Sequence, residues 1–129
     1  MKVVQGAITS GFGMRTHPIT RKQQMHNGVD IAAPAGTPVY SPADGQVVEK
    51  GLCPSRGNFL HVKSGTHTFI FMHLSAHSVN QSQMVKKWQQ VGLVGSTGMS
   101  TGPHLHFEVR LNGVAVDPMT YMEEPIKWQ

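Results

Sequence analysis

A chain of 129 residues has room for one hydrophobic core, because single domains mostly fall at about 100 to 150 residues. With 39% apolar and only 14% charged residues it is neither a disordered polyelectrolyte nor a coiled coil, and its single cysteine, Cys53, excludes an intramolecular disulfide. The formal charge of +4 suits an anionic partner, but the basic residues come as scattered pairs, Arg21-Lys22 and Lys86-Lys87, without the interleaved aromatics of a nucleic-acid surface, so no nucleic acid is expected.

One domain spanning residues 1–129 is the working expectation. No apolar run approaches the roughly 18 residues of a membrane span, and the opening MKVVQGAITSGFG lacks the continuous apolar stretch of a signal peptide. Neither stable membrane insertion nor an export signal is predicted within these residues. The 14 glycines and 8 prolines recur along the whole length and leave no long helical stretch between them, which favours strands joined by turns.

Taken in order, Val3 to Ile8 alternates as a first strand, followed by the turn-rich Ser10-Gly11-Phe12-Gly13 and a polar loop through Thr20–Gln24 that ends at His26. Thr37 to Tyr40 and Gln46 to Lys50 read as a hairpin, since the Asp44-Gly45 step between them is a turn signal. Asn58 to Lys63 and Thr68 to Leu74, joined by Ser64-Gly65, read as a second hairpin. From Ser75 to Gln90 the pattern is irregular, and Met84 with Trp88 at a spacing of four permits a short helix. Val91 to Gly95 and Leu105 to Leu111 complete the strands. The prediction is an all-β protein, an antiparallel sheet forming a sandwich or barrel-like core, with long loops shaping a groove.

Within that frame Pro103-His104-Leu105-His106-Phe107 places two histidines two residues apart, on one face of a strand. Two adjacent imidazoles pack poorly, because each ring nitrogen needs a partner, so a metal or a substrate accounts for them better. In His26-Asn27-Gly28-Val29-Asp30 the Asn-Gly step breaks any helix and lets an imidazole and a carboxylate converge, although such a pair on a loop also forms simply by hydrogen bonding. Two nitrogens and a carboxylate oxygen are a common ligand set for catalytic zinc with one open position. Calcium and magnesium prefer all-oxygen sites, and a structural zinc site wants a fourth protein ligand, usually cysteine. The His-Glu-x-x-His signature is absent. His73 closes the apolar strand Phe69–Leu74, where it shares a face with Phe69 and Phe71 by alternation; a lone histidine at that place is by itself an ordinary structural residue.

Together these motifs resemble the lysostaphin-type (LytM-like) zinc metallopeptidases, which cut peptidoglycan cross-links. The resemblance runs from Ile8-Thr9-Ser10-Gly11-Phe12-Gly13-Met14-Arg15-Thr16-His17-Pro18 through His26–Pro34 and Gly36-Thr37-Pro38-Val39 to Gly102–Arg110, nearly the whole chain. It implies one zinc ion held by His26, Asp30 and His106, with His104 and His73 as the further active-site histidines. Phe71 stands where the family usually has tyrosine, and Ser82 and Trp88 stand where it often has glycines. The implied activity is hydrolysis of a peptide bond by zinc-activated water, with His104 as general base and His73 supporting the oxyanion or the water, roles that can be exchanged. The implied substrate is a stem peptide or cross-bridge at the bacterial cell wall. The run Arg15–Thr20 is more like that of members acting on directly cross-linked walls. Family members that have lost zinc ligands act as binding or activating modules; here all five positions are present, which favours the enzyme over such a module or a peptidase of non-wall proteins. Glu108, two residues beyond His106 on the same face, is a candidate hydrogen-bond partner for a ligating imidazole.

Overall fold

Short runs of β-branched and aromatic residues, each cut off by glycine, proline or a polar turn, give strands at nearly every apolar segment. The computed structural model describes residues 1–16 and 20–123. Its strands are β1 Ala7–Ser10, β2 Gly13–Thr16, β3 Gln23–His26, β4 Val29–Ala32, β5 Pro38–Tyr40, β6 Gly45–Cys53, β7 Gly57–Ser64, β8 His67–His77, β9 Met84–Val85, β10 Gln90–Val94, β11 His104–Leu111 and β12 Val114–Val116; a 3₁₀ turn, Pro118–Tyr121, follows. No α-helix occurs among the described residues. Every pairing is antiparallel, in one branched ten-stranded sheet with the order β1-β4-β11-β8-β7-β6-β9, while β2 and β3 form a separate ribbon. The all-β expectation holds.

The sheet has two unlike faces, and strand β11 shows why. Leu105, Phe107 and Val109 are fully buried and lie opposite Ile31 and Val29 of β4 and Phe71 and Phe69 of β8. Val39, Val47, Val62, Val91 and Val94 join the same cluster, so one core lies inside the sheet. Fully burying each such side chain contributes about 1.5 to 3 kcal/mol. Alternation then sends His104, His106, Glu108 and Arg110 to the opposite, outer face. The site therefore lies on a wall whose inner side is packed solid.

Strand β8 departs from strict alternation. Leu74 pairs with Asn58 whereas Phe71 pairs with Leu60, so β8 carries one more residue than β7 over this stretch, and His73 takes a left-handed φ of 66°. This bulge returns Leu74 to the core beside Phe69 and Phe71 and frees His73 from their face, contrary to the alternation read from sequence. The extra residue re-aims the imidazole.

Other expectations needed correction. β5 and β6 do not form a hairpin; β5 pairs with β10, and β6 with β7 and β9. The corner between them is bonded elsewhere: Trp88 N donates to Ser41 O, Ser41 N to Gln89 O and Lys87 N to Asp44 Oδ1, which turns the chain away. The short helix at Met84–Trp88 is absent, since Trp88 itself has a φ of 64° and Met84 and Val85 pair with β6. Strand β8 also extends to His77, into the stretch read as irregular. The polar loop before His26 is the ribbon β2–β3, and the motif around Asp30 is a strand, β4. Val3 and Val4 are buried, but they are tied only by an isolated bridge from Val4 to Val39 and by backbone bonds of Val3 to Met122 O and from Tyr40 N, and regular pairing begins at Ala7.

Candidate metal centre

Three elements bring the predicted ligands together. His26 is the last residue of β3, and only Asn27 and Gly28 separate it from β4, where Asp30 sits directly opposite His106 of β11. Gly28 is required by close approach: a Cβ there would lie 2.4 Å from the Phe107 carbonyl oxygen and 3.1 Å from His106 Nε2. The connection can thus pass beneath the site only without a side chain.

One ligand atom from each of His26, Asp30 and His106 lies within 4.8 Å of the others. Asp30 Oδ1 is 2.7 Å from His106 Nδ1, and Oδ2 is 3.3 Å from His26 Nε2. A tetrahedral centre with bonds of about 2.0 to 2.1 Å puts its donors roughly 3.3 Å apart, so little rearrangement separates this cluster from a coordinated one.

Second hydrogen bonds set the tautomers. His26 Nδ1 lies 2.7 Å from the Gly11 carbonyl, which can only accept, so this nitrogen carries the proton and Nε2 offers its lone pair to the cluster. His106 is turned the other way: Nε2 donates to Glu108 Oε2 at 2.8 Å and Nδ1 faces Asp30. Arg110 Nη2 holds the other oxygen of Glu108 at 2.9 Å. A carboxylate behind a ligating imidazole fixes its orientation and raises its basicity, and Glu108 is placed to do both.

His73 and His104 complete the group. His73 Nδ1 donates to the Thr97 carbonyl at 2.7 Å and His104 Nδ1 to the Gly102 carbonyl at 2.9 Å, which leaves both Nε2 atoms as acceptors. Their ring centroids are 4.8 Å apart, and His104 Nε2 is 4.0 Å from Asp30 Oδ1. Neither is needed to complete the three-donor cluster.

Electrostatics follow the geometry. Burial pushes the Asp30 carboxyl up, but the hydrogen bond from His106 and the charges of His106, His26 and His104 outweigh it and hold the pKa below the usual value. For His106 burial works against the charged form, yet Asp30 and Glu108 on its two nitrogens push it up to about 9. Glu108 is likewise raised by burial and brought down further by His106 and Arg110. Burial is the main influence on His73 and holds it below the ordinary histidine range, so at neutral pH it is an uncharged base.

Two recesses on the outer face flank the cluster. One, of about 250 Å³, is lined by Thr9, Asp30, Thr101, Pro103 and His104; the other, of about 330 Å³, includes Met72, which pairs with His106, and Arg56 and Arg110. Arg15 lies on β2 and its guanidinium bonds Ser10 Oγ, a loop-structuring contact, while His17 lies outside the described residues. His67 bonds Tyr121 Oη and His77 the Phe59 carbonyl, so both side chains have packing partners away from the cluster. Asp117 caps the 3₁₀ turn. The contacts that sequence reading missed are the carbonyls of Gly11, Thr97 and Gly102, which have no side-chain signature, and Arg56, which no motif marks.

The sequence profile described as Peptidase family M23 matches residues 24–118, which hold all five histidine and aspartate positions. The chain belongs to peptidase family M23. Among M23 relatives, the peptidoglycan DD-endopeptidase ShyB of Vibrio cholerae is 44% identical over 114 residues, 87% of this chain and 27% of that protein. A crystal structure of a zinc-containing peptidase from Vibrio cholerae superposes with a TM-score of 0.86 at 39% identity, covering 98% of this chain and 39% of the other. The catalytic domain of lysostaphin from Staphylococcus simulans superposes at 0.79 with 36% identity, covering 90% of this chain and 91% of that domain. The chain spans about a quarter of the length of the M23 relatives it matches in sequence.

Proposed function

We propose that this M23 domain is a zinc endopeptidase that hydrolyses peptide cross-links of bacterial peptidoglycan and acts at the cell wall. The observation that carries this reading is the convergence of His26 Nε2, Asp30 and His106 Nδ1, in which each imidazole's other nitrogen is bonded outside the cluster and the three donor atoms face one another, where one metal ion would replace the proton they share. The names of the relatives supply the substrate class.

His26, Asp30 and His106 would hold the ion, which fits a borderline-soft metal that accepts nitrogen and oxygen donors together. Zinc there supplies Lewis acidity, which makes a water acidic and polarises a peptide carbonyl. The protein's remaining work is proton transfer and positioning. His104 Nε2, beside Asp30 and with its proton committed to Gly102 on Nδ1, takes the proton of the attacking water. His73 Nε2 offers a second acceptor in contact with His104; a ring that has gained a proton becomes a donor able to stabilise an oxyanion or to protonate the leaving amine. The outer face between the two recesses accepts an extended peptide.

The test is mass spectrometry of fragments released by zinc-loaded protein from purified peptidoglycans of several cross-link types, with His104→Ala as control. New peptide termini produced by wild type alone establish the reaction and name the bond. Stoichiometric zinc without release from any wall sinks the proposal in favour of a binding module or another substrate. In His104→Ala and His73→Ala, turnover should fall by about 100-fold or more with zinc content unchanged; loss of zinc from either would show it to be a ligand.

A further inference from the structure

The recess that begins at Met72 has a cationic wall not used by the chemistry above. Arg56 lies in the turn between β6 and β7, and its backbone carbonyl accepts from His73 N at 2.9 Å, so it is tied to the residue that re-aims His73. Its guanidinium carbon sits 3.8 Å above the Phe59 ring, and Nε donates to Cys53 Sγ at 3.3 Å. Held by the ring and by Nε, the guanidinium is preorganised, and among the described residues no carboxylate pairs with it and no acceptor reaches its two terminal nitrogens.

Arg110 lines the same recess. It gives Nη2 to Glu108, and its Nε is buried without a partner. Between the two arginines lies His61, whose pKa is lowered first by burial and is then acted on by Glu49, Arg56, Glu108 and Arg110, so both guanidiniums bear on this one imidazole. Glu49 lies 3.3 Å from His61 Nδ1, and Glu108 is committed to His106 and Arg110, which leaves Arg56 without a carboxylate among the described residues; its one anionic neighbour is Cys53, whose thiol the Arg56 N–H groups draw down to about 7 through the backbone N and Nε, not through the terminal nitrogens.

Position says what the anion is. Arg110 is four residues from His106 on the same strand and face, about 13 Å at strand rise, and Met72 lies opposite His106. The recess has Met72, opposite His106, at one end and Arg110 on its wall, so an extended peptide laid along the strand from the candidate metal cluster would reach the arginines within about four residues. Guanidinium terminal nitrogens in a fixed fork recognise a planar carboxylate bidentately.

We propose that Arg56, with Arg110 beside it, forms a carboxylate-binding subsite that selects wall peptides carrying a free carboxylate within about four residues of the scissile bond. This rests on the peptidase reading and adds a specificity determinant to it. The carboxylate can belong to the diamino acid of the cross-link or to the peptide's C-terminus; the chemistry is the same.

The experiment uses three forms of one cross-linked peptide: the free acid, the amide at the diamino-acid carboxylate and the amide at the C-terminus. kcat/KM is measured for each with zinc-loaded wild type, Arg56→Gln and Arg56→Lys. Wild type should favour the free acid over one of the amides by about 10- to 100-fold, the range of hydrogen bonds to charged groups, and that amide identifies the carboxylate. The ratio should collapse towards one in Arg56→Gln and be intermediate in Arg56→Lys, which keeps the charge without the fork. Equal ratios in wild type and Arg56→Gln, or no discrimination by wild type, overturn the subsite. If wild type cleaves none of the peptides, the peptidase reading fails separately. The subsite is then decided by equilibrium binding of the same peptides to metal-free protein, where an Arg56-dependent preference for the free acid supports it and equal binding refutes it.

Discussion

His106 shows how a single side chain is tuned by what lies on both of its nitrogens. With Asp30 on Nδ1 and Glu108 on Nε2, its proton is held up to about 9 in metal-free protein, against 6.5 for an unperturbed histidine. A histidine pKa raised on folding contributes stability that is fully present below the unfolded value and is lost as pH rises through the folded one. Metal-free protein should therefore lose stability between about pH 6.5 and 9, and His106→Asn should flatten that part of the profile; thermal unfolding across this range reads it directly. Glu108 makes the second residue-level prediction. Glu108→Gln keeps the shape but removes the charge behind the ligand, and zinc affinity measured by chelator competition should weaken by about 10- to 100-fold. An unchanged affinity would reduce the Glu108 contact to packing.

Elements, above all their irregularities, decide where the chemistry points. The β8 bulge puts His73 at a φ of 66° and delivers it beside His104 instead of into the phenylalanine core. Non-glycine residues held in this region cost about 1 to 3 kcal/mol each, and such strain persists where surrounding structure enforces it. At His73 the enforcement comes from Arg56 O on the backbone and Thr97 O on the ring. Ser82 and Trp88, which the resemblance placed where glycine is common, are also left-handed, at 68° and 64°. Trp88 packs against the core, whereas exposed Ser82 is held through its backbone alone, N donating to Val47 O and O accepting from Gln46 Nε2, bonds that glycine would keep. Ser82→Gly should raise stability by about 0.5 to 1 kcal/mol, because relief of the left-handed strain exceeds glycine's added chain entropy. Denaturant titration measures it; a destabilised variant would mean that the loop adapts to serine.

At the scale of the whole molecule, the candidate metal cluster of His26, Asp30 and His106 joins chain segments far apart in sequence: β3 and β4 near the start, β11 near the end. An ion that binds only the folded arrangement stabilises it by mass action, about 2.7 kcal/mol when present at 100 times its Kd. For a chain of 129 residues that corresponds to a rise in Tm on the order of 10 °C. Scanning calorimetry with zinc and with chelator should show this shift, and His106→Ala should abolish it. No shift would mean that zinc does not bind this cluster.

The sequence by itself determined the all-β class, because alternation and turn residues are local signals, and it marked five candidate site residues, because His26, Asp30, His73, His104 and His106 lie in short motifs whose order is specific. It also placed His104 and His106 on one face, a direct consequence of period two. What only the tertiary structure decided depends on residues distant in the chain. The pairing of β5 with β10 was hidden because the Asp44-Gly45 turn looks local, while its partners at 87–89 are not. Strand β4 alternates, with Val29 and Ile31 buried and Asp30 half-buried, but four residues directly after the Asn27-Gly28 step are too short a run to be told from a loop without the partners β1 and β11. The aim of His73 required the mismatch between β7 and β8. Likewise the tautomers rest on carbonyls, which every residue has and which only folding brings to a particular ring.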